Sequence, residues 1–123
     1  MRIFLCNECR QVVKKIGGEN NPITCCKQEM VPFQKMNEIV GDDDSKHTPI
    51  IRQVGNFITI TIENNHPMID VHHIEFIMIE TNQGFLYKRL SGLETAETEF
   101  ILAENEEIIN VFANCNVHSI FSI

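Results

Sequence analysis

Residues 57–62, Phe-Ile-Thr-Ile-Thr-Ile, alternate apolar and hydroxyl side chains with a period of two, and no long segment of the chain keeps a period of 3.6. A period of two sends alternate side chains to opposite faces, so this segment predicts a half-buried β-strand. A second apolar stretch, 73–81, runs into Asn82-Gln83-Gly84 and resumes at 85–90, which predicts a hairpin. Residues 50–54, 98–102 and 108–114 read as further strands. Short strands separated by turn residues predict a mainly β chain built on an antiparallel sandwich. Residues 1–36 have another character: Gly17-Gly18-Glu19-Asn20-Asn21-Pro22 in their middle is a turn, not a core segment.

Charge divides at the same place. Residues 1–36 carry six Lys/Arg against three acids, whereas the remainder carries four against fourteen. A chain of 123 residues can bury one moderate core plus a small appendage that needs a staple. Gly41-Asp42-Asp43-Asp44 reads as part of a solvated connector. The organisation expected is a small cysteine-knit module over 1–36, a linker over 37–46 and a β-sandwich over 47–123. An acidic main domain argues against nucleic acid or an anionic membrane as partner. No apolar run is long enough for a membrane helix, and the start is interrupted by Cys6 and Glu8 too soon for a secretory signal. The setting expected is a reducing cytoplasm, where clustered cysteines hold metal more often than they form disulfides.

The chemistry-bearing residues are gathered, not scattered. All five histidines and Cys115 fall in three patches: Lys46-His47-Thr48-Pro49, the stretch from His66-Pro67-Met68 to His72-His73, and Cys115-Asn116-Val117-His118. Imidazole and thiolate are ligands for iron, zinc or copper. Four imidazoles and one thiolate exceed the tetrahedral set of a structural zinc and predict a five-coordinate metal with a vacant sixth position. Cys115 and His118 are three apart after a strand, close enough to share an ion, and Pro67 stiffens the loop between His66 and His72. Taken singly, each of these histidines reads as a surface or capping residue and Cys115 as an inert buried thiol. Cys6, Cys9, Cys25 and Cys26 supply four thiolates for a separate closed site that suits iron or zinc. A zinc knuckle that only holds the fold is the plainer reading of it; a disulfide is weaker, since neighbouring cysteines seldom pair.

In chain order, Cys-x2-Cys, Cys25-Cys26 with Met30, Lys46-His47-Thr48-Pro49-Ile50, His66-Pro67-Met68 with His72 six residues on, and Cys115-Asn116-x-His118 form a specific combination. It resembles desulfoferrodoxin, the two-iron superoxide reductase family. The resemblance implies an immunoglobulin-like sandwich of seven strands. It also implies a desulforedoxin-like module with one iron on Cys6, Cys9, Cys25 and Cys26, and a neelaredoxin-like domain with a second iron. His47, His66, His72 and His118 would be the equatorial ligands of that second iron and Cys115 the axial one. The activity implied is reduction of superoxide to hydrogen peroxide without release of dioxygen, with an external donor such as rubredoxin restoring the ferrous state. Lys46 would attract the anion and orient a proton-donating water, and the family implies a homodimer. Two other readings use the same residues: a non-catalytic electron-transfer or redox-sensing protein, and a zinc-stabilised binding module.

The chain departs from the family pattern at several places. Arg10 and Lys27 stand where glycine commonly follows the second and fourth cysteines, which is expected to alter amide-to-sulfur hydrogen bonds and leave the ligand count intact. Ser45, preceded by Asp44, replaces a glutamate that caps the resting iron. Phe76 and Phe121 stand for tryptophans, and Ser119 for a glycine, so apolar shielding persists with a different surrounding shell. His73 aligns with an aromatic position and is expected in the pocket wall or the strand.

Overall fold

Every regular element among the described residues is a β-strand. The computed structural model describes residues 3–18, 20–33, 49–62, 67–91, 95–117 and 119–122, so the expected linker falls outside them. Two units divide the chain, Met1–Lys35 and Met36–Ile123.

The first unit holds β1 (Ile3–Leu5), β2 (Val12–Lys14), β3 (Thr24–Cys25), β4 (Gln28–Glu29) and β5 (Val31–Pro32). Strands β2, β1 and β5 form one antiparallel sheet in that order, and β3 with β4 forms a hairpin. Among its described residues the buried side chains are Ile3, Cys6 and Met30. Strands of two or three residues cannot hold themselves together, and a unit of this size ordinarily needs a metal or disulfides.

The second unit comprises β6 (Pro49–Val54), β7 (Phe57–Ile62), β8 (Ile74–Thr81), β9 (Gly84–Arg89), β10 (Glu97–Ile101), β11 (Ile108–Cys115) and β12 (Ser119–Ser122). They make a three-stranded sheet, β10-β7-β6, and a four-stranded sheet, β12-β11-β8-β9, antiparallel throughout. In β7 the alternation works as its sequence predicts: Ile58, Ile60 and Ile62 are buried and Thr59 and Thr61 are half-buried. These isoleucines join Ile74, Ile77 and Ile79 of β8, Phe100 of β10 and Val111, Ala113 and Cys115 of β11 in one core between the sheets. Each fully buried isoleucine contributes roughly 1.5–3 kcal/mol. The β6–β7 loop is the pair Gly55-Asn56, and Gly55 has φ 61°, the left-handed value that a two-residue hairpin needs at its first position.

Candidate metal centres

Two tight turns bring the four N-terminal sulfurs together. In the first, Cys6 N–H donates to Gln11 O (2.9 Å) and Arg10 N–H to Cys6 O (2.8 Å), folding Cys6 to Cys9 into a knuckle closed by Arg10 at φ 66°. Within it the Cys9 N–H donates to Cys6 Sγ at 3.5 Å. In the second, Cys25 pairs with Gln28, leaving Cys26-Lys27 as a two-residue loop with φ 52° and 63°. Positive φ at both central residues marks a type I′ turn, and it lets two adjacent cysteines reach the same point. All four Sγ atoms lie within 4.8 Å of one another, with Cys9–Cys25 at 3.4 Å and Cys25–Cys26 at 3.9 Å. A disulfide would need about 2.05 Å. A tetrahedral ion with metal–sulfur bonds of about 2.3 Å has edges of about 3.8 Å, so the cluster fits one ion.

The electrostatics of the thiols agree with that fit. The Cys9 and Glu8 amides aimed at Cys6 pull its thiol down to about 7. Hydrogen bonding with the Cys9 thiol pushes Cys25 up to about 12, and the same neighbour raises Cys26. One sulfur ionises readily and its neighbours resist becoming further anions beside it; a divalent cation removes that resistance and displaces their protons.

The second candidate centre lies at one end of the β8–β11 pair. Cys115, the last residue of β11 and 1% exposed, lies opposite Ile74, the first residue of β8, after a register shift at Asn114. Before Ile74 the chain doubles back: Ile69 N–H donates to His72 O (3.0 Å) and His72 N–H to Ile69 O (3.1 Å). Met68 packs against the core and its Sδ accepts the Ile74 N–H at 3.3 Å. Asn116 ties this turn to the end of β11, since its N–H donates to His73 O (3.1 Å), its Oδ1 accepts the His73 N–H (2.8 Å) and its Nδ2 donates to Val71 O (3.1 Å). His72 therefore stands at the same end of the sheet as Cys115, with its Nε2 shielded from solvent. A buried imidazole nitrogen and a buried thiol are each donors suited to a transition metal such as iron.

His73 sits just before β8, with Nδ1 3.1 Å from Ile69 O, so its ring belongs to the turn. Phe76 stacks on Tyr87 at 5.3 Å, and Ser119 lies opposite Cys115 in the β11–β12 ladder. Lys46, His47, His66 and His118, with Asp44 and Ser45, lie outside the described residues. Two residues were missed from sequence. Gln11 places Oε1 3.6 Å from Cys25 Sγ, and no spacing rule points to it. Asn116 was visible only as a letter of the Cys-x2-His motif.

Residues 40–123 match the family model described as Desulfoferrodoxin. The desulfoferrodoxin homolog of Methanothermobacter thermautotrophicus is 27% identical over 122 residues, covering 98% of this chain and 95% of that protein. The desulfoferrodoxin of Nitratidesulfovibrio vulgaris is 28% identical over 119 residues, covering 94% and 90%. Among solved structures, the superoxide reductase from Treponema pallidum superposes with a TM-score of 0.72 at 19% identity, covering 99% of this chain and 95% of that one. That last likeness is one of fold, and it bears out the antiparallel β architecture. With a family match over more than half its length, enclosing His72, Cys115 and the turns that hold them, the chain belongs to the desulfoferrodoxin family.

Proposed function

We propose that this protein is a superoxide reductase of two modules, each holding one iron. The observation that carries the reading is that buried Cys115 and the shielded Nε2 of His72 stand at the same end of the β8–β11 pair, inside the stretch shared with the family. His47, His66, His72, His118 and Cys115 would hold the reactive iron, and Cys6, Cys9, Cys25 and Cys26 the other. Iron, when bound, supplies the single electron that superoxide takes. The chain's own residues do the rest. Burial of Cys115 and of the His72 Nε2 keeps water from the donor atoms, and the Asn116 hydrogen bonds keep the turn in place. Lys46 sets a local positive charge in an acidic unit, drawing the anion and orienting the water that gives up a proton. Two protons from solvent complete hydrogen peroxide. A rubredoxin-like protein returns the electron, the chain works as a homodimer, and a reducing cytoplasm keeps its thiols available.

Stoichiometry tests the reading. With donor in excess, the iron-loaded protein should yield one hydrogen peroxide per superoxide consumed and no dioxygen. Dioxygen release would make it a dismutase, and no consumption would leave an electron-transfer protein. Cys115→Ser should abolish the ferric sulfur-to-iron absorption and collapse turnover.

A further inference from the structure

Both ends of the β8–β11 pair carry the same three-bond arrangement. At one end Asn82, the residue after β8, donates its N–H to Glu107 O (3.1 Å), accepts the Glu107 N–H on Oδ1 (2.8 Å) and donates from Nδ2 to Asn105 O (3.1 Å). At the other end Asn116, the residue after β11, makes the corresponding bonds to His73 O, His73 N–H and Val71 O at 3.1, 2.8 and 3.1 Å. In each case a side-chain amide stands in for a peptide group and carries the ladder past its last pair, Thr81 with Ile108 and Ile74 with Cys115. The two clamps are chemically alike, but what they grip differs. Asn82 holds the turn at 105–107. Asn116 holds the residues on either side of His72, from the position next to Cys115.

We infer that Asn116 is a positioning residue for the metal centre, its side-chain amide setting His72 against Cys115 by gripping Val71 and His73. The inference rests on the reading of His72 and Cys115 as ligands. With the main chain fixed on both sides, residue 72 has little backbone freedom left, which narrows the positions from which its ring can reach an ion. Partners that orient ligands in this way are worth about 10- to 100-fold in metal affinity.

Asn82 provides the matched control. Asn116→Asp keeps the shape and the Oδ1 acceptor but turns a carboxylate oxygen toward the Val71 carbonyl, and Asn82→Asp makes the same change at the far end. The full iron-loaded chain and both variants are compared by the ferric sulfur-to-iron absorption and by the rate at which that centre loses iron to a chelator. The melting temperature of the metal-free protein is read alongside. Both variants should lower the melting temperature similarly, while Asn116→Asp alone shifts the absorption and speeds iron loss by about tenfold or more. Equal iron loss in the two variants, or an unchanged absorption and rate in Asn116→Asp, would overturn the inference. A wild-type absorption that survives Cys115→Ser would instead remove the ligand reading beneath it. Should Asn116→Asp fail to fold, Asn116→Ser is read by the same comparison.

Discussion

Lys27 shows what one residue contributes to the four-thiolate unit. Glycine or asparagine usually fills a type I′ turn because both central residues need positive φ, yet here they are Cys26 and Lys27. The backbone at Lys27 keeps a conformation that glycine takes freely and that a side chain strains. Arg10 repeats this at the first turn. A side chain in the left-handed region costs on the order of 1–2 kcal/mol. Cys26 is committed to the cluster, whereas the Lys27 side chain is exposed. Lys27→Gly is expected to stabilise the unit by about 1 kcal/mol. The check is the guanidinium concentration at which the four-thiolate absorption of the iron-loaded chain is half lost; an unmoved midpoint would mean the turn holds Lys27 without strain.

Between elements, the turn from β10 to β11 has its own pH dependence. Glu106 accepts the Thr81 hydroxyl at 2.6 Å and the Ala103 N–H at 2.9 Å, and these bonds, Thr81 first, hold its carboxyl below the usual carboxylate range. The unfolded chain therefore takes up the proton more readily. Stability from this group is full above the ordinary glutamate value of about 4.3 and is lost as pH falls through the folded value. Glu106→Gln should flatten the acid limb of melting temperature against pH, and an identical limb would show that other carboxylates govern it. At this scale the sequence was readable wherever one face is buried: 57–62, 73–81, 85–90 and 108–114 come within a residue of β7, β8, β9 and β11. Strand β12 and the two- and three-residue strands around the cysteines escaped, because segments that short carry no period. His73 lies one residue before β8, with its ring nitrogen on Ile69 O.

For the whole molecule, the separation into Met1–Lys35 and Met36–Ile123 has a direct chemical test. Cys9→Ser removes one of four clustered sulfurs and should abolish the visible bands of that centre while superoxide consumption by the second unit stays measurable. Loss of consumption with the other iron still bound would make the N-terminal centre obligatory. The gathering of Cys6, Cys9, Cys25 and Cys26 was legible because spacing is part of the chemistry: a metal needs donors of particular types, and the sequence shows them in clusters. The supports were not legible. Asn116 and Gln11 act through contacts with residues 71–73 and with Cys25, and one-dimensional spacing does not record such contacts.

The strand order also bears on self-association. Phe57 to Ile62 is an uncharged, proline-free, β-branched run, the composition that stacks into cross-β fibrils when its edges are bare. Here it is the middle strand of its sheet, with both edges taken by β6 and β10. The outer positions go to strands that resist further pairing: β6 carries Pro49 and Arg52, β9 carries Lys88 and Arg89, and β10 carries Glu97 and Glu99. The uncharged edge strand β12 spans four described residues. Peeling away β6 or β10 would therefore bare an edge of β7 and open a template for aggregation.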